Sequence, residues 1–422
     1  MKKTLLILMA LMLTCPLFAC NSSNKEPNET IDPLSGSIKT EAPKTETNEP
    51  AETTAPKKEV PKAEDYDYFH VFKAAEGSPR EIVYNYMYAM SQIKWVANES
   101  WVTTWKEEGD FGVNLPYEKG KTYYGVPYAR TNATLDEFEQ FLTNKGTFTP
   151  NSHYYEEIVG NHCSSSMVMA YQQVIPMPYA GALKPLVSRI GLLKFPDGIE
   201  IPPSRGTNPD DWISATVFAH NGQEAIFNGY TQLDKGDILY KSIDGSGHTR
   251  MVSKVEVSKS VAGKILPARS FVYCLEQTNA WADNKKDSTW FIDRKYSFSQ
   301  LYDTLFMPVT LNIYHEENPV VEDAYLMMKG KNTSESLKKM LNGTIESNFP
   351  LAYARLTVTD ANGKIVAEHL EYYLTNSFKL NLRNFSYKLG IEKLPAGDYT
   401  FKLRAGIARG GVDLETVKFT ID

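Results

Sequence analysis

The chain is poor in cysteine: its 422 residues hold four, at positions 15, 20, 163 and 274. Two of these fall in the first twenty residues, so at most one bridge, Cys163 to Cys274, is open to the rest of the chain. A second long apolar run is also missing, and no membrane span is expected beyond the N-terminus. Positive charge is in deficit, with 45 Lys and Arg against 51 Asp and Glu and a net charge of −6. That balance argues against nucleic acid as a partner. No internal repeat is visible, and nothing in the sequence calls for a metal or another cofactor.

What is present begins with an address. Lys2 and Lys3 precede an apolar stretch from Leu5 to Phe18, closed by Leu17-Phe18-Ala19-Cys20. Residues 1–20 have the length and layout of a secretory signal. Their end resembles a bacterial lipobox, which implies acylation of Cys20 and a lipid anchor to the membrane, outside the cytoplasm. An ordinary signal peptide that happens to contain Cys20 is the alternative. Residues 21–65 are Thr, Pro, Glu, Lys, Ser and Asn with almost no large apolar side chain. They cannot bury enough surface to offset their ordering entropy and read as a solvated tether.

The remaining residues suffice for about two domains. Ser78-Pro79-Arg80-Glu81 has the form of a helix start, and Ile82, Val83, Tyr86, Met90, Ile93 and Val96 follow at helical spacing. Trp95, Trp101 and Trp105 are expected in the core. Further helices are expected over Leu135–Thr143, from Cys163 onward and over Gln223–Gln232. Strands follow at Ile238–Lys241, Thr249–Val257, Ser270–Glu276 and Trp290–Asp293. Helices first and then an antiparallel meander predict an α+β domain over 66–309. From 310 to 422, short alternating runs separated by Asp360-Ala361-Asn362-Gly363, Pro395-Ala396-Gly397-Asp398 and Gly410-Gly411 predict a β-sandwich, immunoglobulin-like in architecture.

The chemistry centres on Gly160-Asn161-His162-Cys163-Ser164-Ser165-Ser166. A cysteine opening a helix feels the positive end of the dipole, which favours the nucleophilic thiolate. A base is needed, and of the seven histidines His248 has the most telling setting, Asp244-Gly245-Ser246-Gly247-His248, a glycine-rich turn feeding a strand. An acceptor for the other ring nitrogen is offered by Glu276 at the end of Val272-Tyr273-Cys274-Leu275-Glu276. Val272, Cys274 and Glu276 share one face of that strand, so Cys274 is expected as a small buried hydrophobe. The Cys163–Cys274 disulfide remains open on the same geometry.

This order of fragments resembles the papain-like cell-wall hydrolases of the NlpC and CHAP families. Gly125-Val126-Pro127-Tyr128, Leu233-Asp234-Lys235-Gly236-Asp237-Ile238, Gly247-His248 and Glu276-Gln277-Thr278-Asn279 carry the likeness, over about residues 120 to 310. It implies Cys163 as nucleophile, His248 as general base and Glu276 as its orienting partner, with Gln277 or Asn279 as substitutes. Tyr128 would sit beside the sulfur and assist the oxyanion or the substrate. These families usually carry Asp before the cysteine, where this chain has His162. The resemblance implies a lipid-anchored cysteine peptidase or amidase that cuts peptide bonds of cell-wall peptidoglycan through a thioester. Alternatives are a non-catalytic surface lipoprotein that binds wall peptides or a protein partner through the same residues, and acyl transfer to an amine.

Overall fold

The computed structural model describes residues 60–106, 113–178, 191–202, 214–243, 246–372, 374 and 377–422. The expected signal with Cys20, and nearly all of the expected tether, lie outside the described residues. The chain is α+β, strand-rich, with several antiparallel sheets. No helix among the described residues is long and apolar enough to cross a membrane.

Strand β1 (Tyr68–Phe72) opens the described chain and α1 (Pro79–Gln92) follows. The helix starts where expected. Ser78 Oγ accepts the Glu81 N–H, the Glu81 carboxylate accepts the Ser78 N–H at 3.1 Å, and Pro79 holds the first helical position. Ile82, Val83, Met87 and Met90 form its buried stripe. The expected extension to Val96 does not occur. The Ile93 N–H closes the last turn on Ala89, and β2 (Lys94–Ala97) then buries Trp95 and Ala97 at period two. Three short strands come next: β3 (Trp101–Thr103), β4 (Leu115–Tyr117) and β5 (Thr122–Tyr124). Helix α2 (Leu135–Glu139), shorter than expected, and β6 (Thr147–Phe148) complete this part. Trp95 organises it, with its ring 4.9 Å from Tyr123 and 5.1 Å from Phe148.

Helix α3 (Cys163–Tyr171) is buried almost all round. After β7 (Leu193–Lys194), α4 (Ser214–Thr231) is broken at Gly222, whose φ of +76° only glycine adopts readily. The expected helix over Gln223–Gln232 is the second half of α4. The main sheet then forms from β8 (Ile238–Ile243), β9 (Ser246–Glu256), β10 (Phe271–Gln277), β11 (Trp290–Ser297) and, after α5 (Phe298–Asp303), β12 (Met307–Leu311). With β7 it is six-stranded and antiparallel in the order β11-β10-β9-β8-β12-β7. Helices cover both of its faces. On one, α3 lies along β9. On the other, Gly229 of α4 comes so close to Pro308 of β12 that a Cβ would stand 3.0 Å from its ring, and Tyr230 packs on Phe298 of α5 at 5.3 Å.

A second core begins with β13 (Ala324–Lys329), α6 (Ser334–Leu337), β14 (Thr344–Ser347), β15 (Leu351–Asp360), β16 (Ile365–Glu371), β17 (Lys379–Asn381), β18 (Gly397–Ile407) and β19 (Gly410–Ile421). Two four-stranded sheets, β1-β13-β14-β17 and β16-β15-β18-β19, enclose it. Leu326 and Ile345 enter it from one sheet, Leu356 and Leu403 from the other.

The boundary between the two cores differs from the expected one at residue 310. The run Val309–Ile313 was expected to start the second domain. Instead β12 pairs with β8 and β7, because every residue from Met307 to Leu311 is buried and needs cover on both faces. Conversely β1, expected in the first domain, pairs along its whole length with β13. Polar bonds tie the two units together. Tyr353 donates to Asp136 Oδ2 and accepts from Gln140 Nε2, both at 2.7 Å, and Arg404 reaches Asp136 Oδ1 at 2.8 Å. Gln173, just past α3, donates to the Ala408 carbonyl at 2.7 Å.

Candidate active site

Cys163 is the first residue of α3. The approach to it is fixed by backbone pairing with the Gly125–Tyr128 loop. Asn161 N–H donates to the Pro127 carbonyl at 2.9 Å, and Ala129 N–H donates to the Asn161 carbonyl at 2.8 Å. A Cβ on Gly160 would strike the Pro127 carbonyl, so only glycine permits this approach. Serines then close the first turn. Ser165 Oγ accepts the His162 N–H at 3.0 Å, and Ser166 Oγ donates to the His162 carbonyl at 2.9 Å. The Cys163 side chain is thus held at the positive end of the helix. His162 precedes it with its ring near Ser164 Oγ, and burial, with the Arg130 charge, pushes its pKa down to about 4. It is a neutral imidazole at pH 7.

Strand β9 meets the cysteine through Thr249, whose hydroxyl donates to the Cys163 carbonyl at 2.8 Å. His248 is the preceding residue. Its Nε2 lies 2.7 Å from Glu276 Oε2 on β10, which leaves Nδ1 as the ring nitrogen for other chemistry. Glu276 is fully buried and crowded by donors. Arg250 Nε bonds Oε2 at 2.8 Å, Arg294 Nη1 lies 3.3 Å from Oε1, and Tyr296 donates its hydroxyl to Oε1. Burial alone would raise the carboxyl pKa. The Arg250 charge and the bonds from His248 and Tyr296 outweigh it and hold Glu276 well below the usual carboxylate range. A bulge helps to build the cluster: Cys274 pairs with Arg294 but Glu276 with Phe291, and Asp293 takes up the extra residue at φ +52°.

The structure therefore brings His248 and Glu276 together and sets the residue after His248 on Cys163. Tyr128 is buried beside the approach to Cys163, paired with Asn161 and stacked on Tyr155 at 5.5 Å. Gln277 departs from its expected role. Strand alternation turns it away from Glu276. Its Nε2 donates to the Val126 carbonyl at 2.8 Å, next to Trp290 Nε1 at 2.9 Å, so it clamps the Tyr128 loop and does not orient His248. Asn279 lies two residues beyond β10, partly buried. No disulfide joins Cys163 and Cys274; both are buried thiols. Cys274 lies on the Glu276 face as expected, and burial pushes its pKa up.

Sequence reasoning missed Thr249, Arg250, Arg294 and Tyr296. Arg250 was within reach, since period two puts it on the face of His248. Arg294 and Tyr296 were not, because the bulge sets their register. No family model matches the chain, and no curated protein matches it. Among solved structures it is similar to CopC from Methylosinus trichosporium OB3b, at 20% identity over 19% of this chain and 74% of that one, with a TM-score of 0.13.

Proposed function

We propose that this chain is a papain-like cysteine peptidase or amidase of the NlpC and CHAP type, acting on peptide bonds of cell-wall peptidoglycan and anchored to the membrane through Cys20. One observation carries the reading: an imidazole paired with a buried carboxylate stands one residue from the contact between β9 and the helix-opening cysteine. In this mechanism Nδ1 of His248 takes the thiol proton and the thiolate attacks the amide carbonyl. The imidazolium, stabilised by Glu276, returns the proton to the leaving amine, and water then hydrolyses the thioester. The Cys163 N–H, at the helix start, is the natural donor to the oxyanion. Alternation sends His248 and Thr249 off opposite faces of β9, an interior strand between β8 and β10, so the imidazole and Cys163 lie on opposite sides of the sheet and the reaction requires the start of β9 to turn over. The C-terminal unit is proposed as an immunoglobulin-like sandwich. The division of its strands supports this reading, with β13, β14 and β17 in one sheet and β16, β15, β18 and β19 in the other.

The test is site-resolved alkylation of Cys163 by iodoacetamide at mildly acidic pH, with release of wall peptides measured in parallel. Fast modification that is lost in His248→Ala, and peptide release that is lost in Cys163→Ala, are expected. Modification at the rate of an ordinary thiol, indifferent to His248, overturns the reading. It would favour a non-catalytic peptide-binding lipoprotein, a reading supported by the departure of His248 and Thr249 from opposite faces of β9.

A further inference from the structure

The buried stripe of α1 is formed by Ile82, Val83, Met87 and Met90. Tyr84 and Tyr88 lie off that stripe, one helical turn apart, so the core does not account for them. Their rings are nearly parallel, with 12° between planes and 6.2 Å between centroids. Tyr88 is 40% exposed, and Tyr84 is half-buried with its hydroxyl beside Ser253 of β9. Burial and the charge of Asp293 raise the pKa of the Tyr84 hydroxyl, so it keeps its proton as a donor. Asp293, at the bulge of β11, is exposed and accepts the Ser253 hydroxyl at 2.6 Å. The Lys235 ammonium lies 5.1 Å from the Tyr84 ring centroid. Two parallel aromatic rings are thus bordered by one carboxylate and one ammonium. The rings stand on the Cys163 side of the main sheet, because α1 packs on α3. Ser253 is four residues along β9 from Thr249, which touches Cys163, a separation of roughly 13 Å at the rise of a strand.

We propose that Tyr84 and Tyr88 form a stacking platform for an uncharged glycan, with Asp293 and Lys235 bonding its hydroxyl groups. A sugar ring has apolar C–H faces and a rim of hydroxyls. The negative face of an aromatic ring attracts the C–H groups. Each sugar hydroxyl can donate to the carboxylate or accept from the ammonium. With one charge of each sign at its border, the platform complements a neutral ligand and offers no net attraction to an acidic or a basic chain. The inference deepens the proposed function, since a wall glycan seated here leaves about four extended residues of attached peptide to reach Cys163. It rests on that reading only in taking the glycan to be a strand of N-acetylhexosamines.

The experiment is calorimetric titration of the full chain with chitohexaose. A saturable heat of binding, unchanged at high salt, is expected. Tyr88→Ala removes an exposed ring and is expected to weaken binding about tenfold at an unchanged melting temperature. Tyr84→Phe, which keeps the ring and loses only the hydroxyl, is expected to retain most of the affinity. No binding of chitohexaose, loss of binding at high salt, or undiminished binding in Tyr88→Ala overturns the proposal. The two readings fail separately: absence of chitohexaose binding leaves His248-dependent alkylation untouched, and unactivated alkylation leaves glycan binding standing.

Discussion

The hydroxyl of Thr249 donates to the carbonyl of Cys163 at 2.8 Å, and this bond docks the start of β9 onto the start of α3. The residues of the candidate site gather around it. Along β9 stand His248 and Arg250, across to β10 stands Glu276, and behind α3 the Tyr128 loop is held by Gln277 and Trp290.

Glu276→Gln is expected to be among the most destabilising single changes here. It leaves Arg250 in place with its buried partner neutralised, at a cost of ~3–5 kcal/mol. The pH dependence has a definite sign. The folded pKa of Glu276 lies below the ordinary 4.5, so its stabilisation is complete above about pH 4.5 and is lost as pH falls toward the folded value. Chemical denaturation of parent and variant should show a gap that is constant at neutral pH and narrows below about pH 4.5. A gap that widens with acidification contradicts the assignment.

His162 predicts a slope in a different window. Its folded pKa of about 4 lies below the ordinary 6.5, so the unfolded chain binds a proton that the folded chain refuses. Stability should fall as pH drops from about 6.5 to about 4, by roughly 3.4 kcal/mol at most. In His162→Asn that part of the slope should vanish. NMR titration of the imidazole checks the same point directly, and an ordinary midpoint would refute it.

Glu137 of α2 predicts the opposite behaviour. Its carboxyl is buried beside the second unit with neither oxygen hydrogen-bonded, and burial raises its pKa well above 4.5. Holding it protonated costs stability once the unfolded chain begins to ionise. Glu137→Gln is therefore expected to match the parent below about pH 4.5 and to gain roughly 1.4 kcal/mol per pH unit above it, until the folded carboxyl itself ionises. Thermal melts of both proteins across that range read the divergence directly, and parallel curves would refute it.

Gly125→Ala tests the clamp on the Tyr128 loop. The glycine has φ +81°, and an added Cβ would run into the Trp290 ring. Backbone strain and displacement of Trp290 together predict a loss of ~2–4 kcal/mol. Trp290 and Gln277 share the Val126 carbonyl, so the alkylation rate of Cys163 should change along with stability. A variant as stable as the parent would show that the loop is not held in this way.

Much of the architecture was readable because local rules and tertiary demands agree. The start of α1 follows from Ser78, Pro79 and Glu81 alone, since each satisfies a helix-end requirement without outside help. The cysteine at the head of α3 and the histidine near the start of β9 are equally local, each with a glycine shortly before it in the sequence. Where the reading failed, the deciding partner was remote. Helical spacing ran on to Val96, but Trp95 is claimed by the ring cluster of Tyr123 and Phe148. Val309 looked like the first strand of a sandwich until β8 and β7 took it as a neighbour.

By itself the sequence determined the types of side chain available, a cysteine at a helix start, a histidine after a turn and an acid on the next strand, because these depend on residue identity and short-range geometry. Only the tertiary structure decided who meets whom. Pairing register and the bulge at Asp293 gave Glu276 to His248, Arg250 and Tyr296, sent Gln277 to the Tyr128 loop, and kept Cys274 apart from Cys163. Register is set by burial across whole strands, and no short window of sequence contains it.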